Sequence, residues 1–330
     1  MKKKHGLYQY GNIKIKNRKF RTSLSLDKKT VKQRYKIMYS ETFHTSPAGS
    51  SAQVIFQSKN YLKNKTVLDL GCGAGRVSLY AAKYAKHVTG IDYIEKAITY
   101  AQKFAKLCNI KNVDFSVGDL DTFKGEKFDV IMMTEVFQHI DNPLCTLKRS
   151  RKMLNKNGHV IISVPSYDNF RGMIWLSLQK LFGLPMSLTD TYQISADEIE
   201  SMCKKSGFKM EKIVGAAMDW AWTEWGIEDM KRRIMLATKD AKLEQIADFK
   251  SMNNWLDSLL IFNKQFLQYM IDKKIVKKRP LLKLSKFSKK IDAKTKKYLD
   301  DGNTKVNRYY CDVSPFNRMG EDAIYILKVK

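Results

Sequence analysis

The feature that most constrains this chain is the run Val67-Leu-Asp-Leu-Gly-Cys-Gly-Ala-Gly75. An apolar strand end leads directly into three glycines at alternate positions. Arg76–Lys86 follows, with Val77, Leu79, Tyr80 and Tyr84 at helical spacing. Such a strand–turn–helix lets a ligand approach the backbone closely, and the helix N-terminus favours an anionic group. A glycine stands at the fifth position of the turn, where the dinucleotide pattern G-x-G-x-x-G needs one at the sixth.

The alternation continues downstream. Val88–Ile91 reads as a second strand, Ile94–Cys108 as a helix, Val113–Val117 as a third strand and Phe128–Thr134 as a fourth. The fourth is almost continuously apolar, as a strand covered on both faces should be. Pro143–Leu154 reads as a helix capped by Asp141 or Asn142, and His159–Val164 as a fifth strand. Ser195–Ser206 is a helix with acids in its first turn and Gly207 beyond its end, and Phe208–Val214 is a sixth strand. Ala323–Val329 is the next convincing strand. About 105 residues separate the last two, and they read as helices near 227–250, 253–272 and 285–299. The expected fold class is α/β, a doubly wound, mostly parallel sheet with a helical insertion between its last two strands. The expected domains are a basic arm with capping helices over 1–60, a core over 61–215, a helical lobe over 216–320 and a final strand over 321–330.

Acidic residues recur at the ends of the strands. Asp92, in Gly90-Ile-Asp92, stands where a carboxylate can accept both hydroxyls of a ribose. Asp119, in Val117-Gly-Asp-Leu120, is placed to meet an adenine amino group. Phe128-Asp-Val-Ile-Met-Met-Thr-Glu-Val-Phe-Gln-His139 follows, and then Leu147 to Val164. Each piece alone is weak. The ordered set at one edge of one sheet is specific.

Taken together, these segments resemble the successive motifs of class I S-adenosylmethionine-dependent methyltransferases, over about 61–214 and the last strand. The resemblance implies a Rossmann-like sheet of seven strands with the last antiparallel, and S-adenosyl-L-methionine as cofactor. By position, Asp69, Gly71, Cys72 and Gly73 would line the methionine end of the donor. Asp92 would bind the ribose, with Tyr93 beside the adenine, and Asp119 and Leu120 would hold the adenine edge. Thr134 and Glu135 would line the floor near the sulfonium. Glu135-Val-Phe-Gln-His139 is similar to the E-x-x-E-H of the small-molecule branch, which includes ubiquinone- and menaquinone-pathway methyltransferases, with Gln138 in place of the usual acid. Tyr167-Asp-Asn-Phe-Arg-Gly-Met-Ile-Trp also looks like the ubiquinone O-methyltransferases in layout. The insertion and the basic segments do not match that group.

A hydroxyl or ammonium acceptor needs a base. His139, just past strand four, is the first candidate, and Tyr167 and Asp168 follow strand five at the same edge. Asn-Pro-Pro-Tyr, Asp-Pro-Pro-Tyr and Pro-Cys are all lacking after strand four, which weighs against common nucleic-acid methylation chemistries. Phe170–Leu188 is apolar and aromatic but broken by Gly183 and Pro185, and suits a lid over an apolar substrate or an interfacial membrane contact. Asp219-Trp-Ala-Trp-Thr-Glu-Trp225 is a second aromatic cluster.

The net charge of +27 is concentrated: 1–36 carries +12 and 264–308 carries +11. With 48 Lys against 12 Arg, three readings stay open: solvated compositional bias, an anionic membrane surface, and nucleic acid. Five scattered Cys and a basic start without an apolar stretch point to a reduced, cytoplasmic protein with no metal site and no secretory signal. The leading expectation is methyl transfer to an O or N atom of a small or amphipathic metabolite, with a peripheral contact to anionic membrane. The alternatives are an RNA methyltransferase using 1–36 and 264–308 as arms, and a non-catalytic donor-binding module. The oligomeric state is open.

Overall fold

The structure, a computed structural model, describes residues 49–182, 192–240, 242–282, 291–300 and 308–330. It also describes Lys36 and short strand pieces at Lys3–Lys4, Leu7–Gln9, Lys14–Ile15 and Arg18–Lys19. The rest of the basic arm 1–36, residues 183–188 of the apolar segment and 285–290 of the third expected helix lie outside the described residues.

After helix α1 (Gly49–Leu62), strands and helices alternate: β1 (Thr66–Leu70), α2 (Arg76–Ala81), β2 (His87–Asp92), α3 (Glu95–Leu107), β3 (Val113–Val117), β4 (Phe128–Thr134), α4 (Pro143–Lys152) and β5 (Leu154–Pro165). Then come α5 (Phe170–Phe182), α6 (Ala196–Ser206) and β6 (Phe208–Ala216). Strand β4 shows why the sheet needs helices on both sides. Val130 and Met132 enter one buried cluster and Ile131 and Met133 the other. Helix α3 presents Ala97, Ile98, Ala101, Phe104 and Ala105 to the first cluster, a one-faced stripe. Of the two cap candidates for α4, Asn142 is the cap: its side chain accepts from Cys145 N at 3.2 Å, with Pro143 at N1. Ser195 and Glu198 form a reciprocal capping box on α6, and Gly207, at φ 78°, ends it.

The insertion carries α7 (Met218–Ala221), α8 (Glu224–Asp240), α9 (Phe249–Asp272), β7 (Val276–Lys278), α10 (Ala293–Leu299) and β8 (Tyr309–Cys311), and the chain closes with β9 (Asp322–Val329). The sheet order is β7-β8-β6-β9-β5-β4-β1-β2-β3. Strands β3, β2, β1, β4 and β5 pair in parallel, and β9 runs antiparallel between β5 and β6. Two expectations are corrected. The sheet has nine strands, not seven, because β8 pairs with Gly215–Ala216 of β6 and β7 pairs with β8. The insertion is therefore not purely helical. Both added strands are three residues long and held by edge hydrogen bonds, so they have no apolar alternation to read.

One buried ion cluster fastens the lobe to the core. Arg171 of α5 is 1% exposed. It pairs with Asp229 of α8 at 3.2 Å and with Glu321 beside β9, and lies 4.9 Å from the Trp220 ring. Asn169 donates to Gly320 O at 2.7 Å and accepts from Gly172 N at 2.8 Å, which locks the β5–α5 turn.

Candidate active site

All five parallel strands end at one edge, and the candidate residues sit there because motif and strand end coincide. The turn after β1 adopts left-handed backbone at Gly71 (φ 75°), Gly73 (φ 54°) and Gly75 (φ 77°). A Cβ on Gly71 would stand 2.5 Å from a Val136 methyl, so the turn after β4 packs directly on the turn after β1. Gly71 N and Cys72 N donate to Ile91 O at 2.8 and 3.0 Å, which ties the turn to β2.

Asp92 is fixed by its own neighbourhood. One carboxylate oxygen accepts from Gly73 N at 2.9 Å and the other from Ile94 N at 2.8 Å. Asp69 is buried and accepts from Ser78 Oγ at 2.5 Å. Burial raises its pKa to about 6, the Asp92 charge pushes the same way, and the Ser78 bond opposes them. The Cys72 thiol is pushed well up by burial and by the charges of Asp69 and Asp92. Burial also pushes the Tyr93 phenol up, reinforced by Asp92 and Asp119. Asp69, Cys72, Asp92, Tyr93 and Asp119 therefore share one electrostatic neighbourhood at the strand ends. Asp119 accepts from Asp121 N at 2.8 Å; Leu120 buries its side chain, and its carbonyl accepts from Arg149.

At the end of β4, Thr134 Oγ1 is buried without a hydrogen-bond partner among the described residues. Glu135 adopts φ 56°; its N–H donates to Ser163 O at 3.0 Å and its carboxylate accepts from Ser163 Oγ at 2.8 Å. Gln138 donates to Glu135 Oε2 at 3.3 Å. His139 closes the short turn Phe137–His139 and is half-buried.

Tyr167 is buried after β5. Asp168 belongs to a different set. Burial raises its pKa, Arg318 opposes and Asp197 adds, so its charged neighbours are those at the start of α6. No described contact joins Asp168 to the Asp69–Asp92–Asp119 group.

Sequence reading missed Ser78, Ser163, Arg149 and Arg76. Ser163 is the single polar residue in an otherwise apolar strand end, a signal that was there to use. Arg76 gave none beyond its place after Gly75. It is buried, with its guanidinium 4.0 Å from the ring of Tyr298, which arrives from α10 222 positions later in the chain, a number the sequence fixes but its pattern does not.

A glycine turn, a carboxylate on the next strand and a central antiparallel return strand define an enzyme of the class I S-adenosylmethionine-dependent methyltransferase type. The family described as "Methyltransferase domain" matches residues 62–228, and the chain belongs to that family. It is 30% identical over 172 residues to the ubiquinone biosynthesis O-methyltransferase of Azorhizobium caulinodans, covering 50% of this chain and 67% of the relative. The corresponding enzyme of Pelagibacter ubique is 29% identical over 177 residues, 52% of this chain and 73% of the relative. Among solved structures, the YcgJ protein of Bacillus subtilis matches with a TM-score of 0.47 at 15% identity, covering 85% of this chain and 97% of the other.

Proposed function

We propose that this enzyme moves a methyl group from S-adenosylmethionine to an oxygen of a small or amphipathic metabolite. The observation that supports the donor site is the Asp92 carboxylate accepting from Gly73 N of the glycine turn at 2.9 Å, with Asp69 acting on Cys72 of that turn and Asp119 on neighbouring Tyr93. The residues fit the group. Thr134 Oγ1 has an unmet hydrogen-bonding capacity at the floor, and the Asp92 carboxylate is held in place by two backbone N–H groups. In this reading Asp92 takes the ribose hydroxyls, Tyr93 and Leu120 flank the adenine and Asp119 receives its amino group. The turn from Gly71 to Gly73, with Asp69 and Cys72 behind it, cradles the methionine end. Thr134 and Glu135 face the sulfonium.

The bound sulfonium supplies an electrophilic methyl together with its own leaving group. The protein's part is alignment, which is worth up to about 7–11 kcal/mol of barrier in well-oriented systems. His139 takes the hydroxyl proton as the acceptor oxygen attacks, with Tyr167 and Asp168 as second candidates. The domain 61–215 holds the donor, and 165–225 together with the lobe 216–320 forms the acceptor side. The names of the two relatives support an oxygen acceptor. The aromatic segments Phe170–Phe182 and Asp219–Trp225 suit a ring-bearing one. Peripheral contact with a membrane would bring an amphipathic acceptor within reach.

The test is a labelled-methyl assay on cell extract separated into lipid, small-molecule, protein and RNA fractions. Alkali-stable label in the lipid or small-molecule fraction, lost with His139→Ala, is the expected result. Label confined to RNA would overturn the acceptor class, and full turnover of His139→Ala would remove the base.

A further inference from the structure

Glu135, the first residue past β4, has a left-handed backbone (φ 56°), which is unfavourable for a residue with a Cβ. Strained backbone of this kind persists where its surroundings over-determine it, and it gathers at working sites. Here the surroundings begin with Ser163, which stands opposite Thr134 in the β4–β5 register. The Glu135 N–H donates to Ser163 O at 3.0 Å and to Ser163 Oγ at 3.2 Å. The same hydroxyl donates back to Glu135 Oε1 at 2.8 Å. Gln138 Nε2 donates to the other oxygen, Oε2, at 3.3 Å. Both carboxylate oxygens are therefore held, and the side chains that hold them are themselves buried, Ser163 at 1% and Gln138 at 4% exposed. Glu135 is half-buried.

Serine and glutamine are neutral donors, so they fix the carboxylate without cancelling its charge. The position is specific as well. The next residue, Val136, packs on Gly71, which anchors Glu135 beside the contact between the β4 turn and the glycine turn. The preceding residue, Thr134, has a buried Oγ1 with no hydrogen-bond partner among the described residues. In the functional reading above the sulfonium lies at this floor. Methyl transfer changes one charge there: the sulfonium donor is cationic, and the thioether that remains is neutral. A carboxylate locked nearby attracts the first and not the second.

We propose that Glu135, positioned by Ser163 and Gln138, biases the site towards the cationic donor and against its neutral product. The attraction lapses once the methyl group has left, which favours exchange of product for fresh donor. Glu135 reads the charge; Ser163 and Gln138 act through it and are positioning residues. The proposal rests on the donor reading above, and its test separates the two.

The test is titration calorimetry of S-adenosylmethionine and S-adenosylhomocysteine into the full wild-type chain, Glu135→Gln and Ser163→Ala. The quantity read is the ratio of the two affinities, because a general loosening of the site weakens both ligands and leaves the ratio where it was. Glu135→Gln keeps the shape and the hydrogen bond from Ser163 but not the charge, and should shift the ratio against the donor by about tenfold or more. Ser163→Ala keeps the charge but frees the carboxylate, and should shift it by about threefold in the same direction. An analogue with a protonated amine in place of the sulfonium should follow the donor in all three proteins, which separates charge from the bulk of the methyl group. Should a variant unfold by circular dichroism, Glu135→Asp stands in for the first and Gln138→Leu for the second, each with a smaller shift of the same sign. An unchanged ratio in Glu135→Gln, with both ligands still bound, would overturn the proposal and leave the donor site standing. A ratio that shifts in Glu135→Gln but not in Ser163→Ala would overturn the positioning role. A wild-type chain that binds neither ligand would overturn the donor reading and this proposal with it.

Discussion

The two ends of the sheet are built by different means. From β1 to β3, within 66–121, the candidate donor residues are held by neighbours close in the chain: Asp92 by Gly73 and Ile94, Asp69 by Ser78, Asp119 by Asp121. From β5 to β9 the ties are long. Arg171 reaches Asp229 and Glu321, and Asp219 accepts from Arg308 N and Tyr309 N at 3.0 and 3.1 Å. Local ties leave motifs in a sequence, and long ones do not. The difference also predicts how each half fails. The first should lose donor affinity with little loss of fold, and the second should lose fold.

The largest effect should come from the long ties. Arg171→Leu removes the cation shared by Asp229 and Glu321; Asp229 keeps Arg232 and Arg233, so the loss should fall at or below the lower end of the about 3–5 kcal/mol that breaking a buried pair costs. Urea unfolding of the lobe should register it; a loss under 1 kcal/mol, about the value of a surface pair, would show that the cluster is not what fastens the lobe.

Tyr298 belongs to both halves, since α10 brings it from the insertion onto Arg76 beside the glycine turn. Tyr298 packs on Phe104 at 5.2 Å, and Tyr80 Oη donates to Leu299 O at 2.5 Å. Tyr298→Leu keeps apolar bulk but removes the ring over the guanidinium, an interaction worth about 2 kcal/mol when desolvated. Thermal unfolding should fall accordingly, and donor affinity should weaken with it. An unchanged donor affinity would place α10 outside the donor site.

Gly71→Ala probes the local half. The left-handed backbone costs a residue with a Cβ about 1–2 kcal/mol, and the Val136 contact adds to it. Val136→Ala in the same chain should recover the contact but not the backbone cost, so rescue should be partial. Complete rescue would mean that the turn relaxes freely.

A further effect is spread over several pH units. Glu321 is pushed up to about 8, mainly by burial, with Asp322 and Asp229 adding to it against the pull of Arg171. Asp69 is pushed up to about 6. Both bind protons more tightly folded than unfolded, so their stabilisation is complete below their ordinary carboxylate values and is lost as pH rises through the folded ones. Melting temperature should decline from about pH 5 to about pH 8.5. Asp69→Asn should lessen the decline below about pH 6, and Glu321→Gln should lessen it throughout, up to about pH 8. A flat profile in the wild-type chain would contradict both assignments.

The same contrast explains what could be read in advance. The glycine run, Gly90-Ile-Asp92 and Val117-Gly-Asp-Leu120 announce the first half because a strand end, a turn and a helix start must each use particular residue types. The last strand was legible from Ala323–Val329 as a hydrophobic run, while its antiparallel direction came from the family resemblance alone. Strands β7 and β8 were not, because Val276-Lys-Lys278 and Tyr309-Tyr-Cys311 become strands through a neighbour's free edge rather than through a pattern of their own. Asp168 stands just past strand five, and its charged neighbours are Arg318 and Asp197. Spacing places a residue at an edge but does not say which way it faces.

The claim on which the rest depends is that the Asp92 carboxylate, fixed by Gly73 and Ile94, holds the donor. Titration calorimetry of S-adenosylmethionine into the wild-type chain and into Asp92→Ala tests it directly. The expected result is clear heat of binding in the wild type and at least about a hundredfold weaker binding in the variant, with unchanged circular dichroism, as befits a charged hydrogen-bonding partner removed from two hydroxyls. Equal affinity in a folded variant would contradict the account.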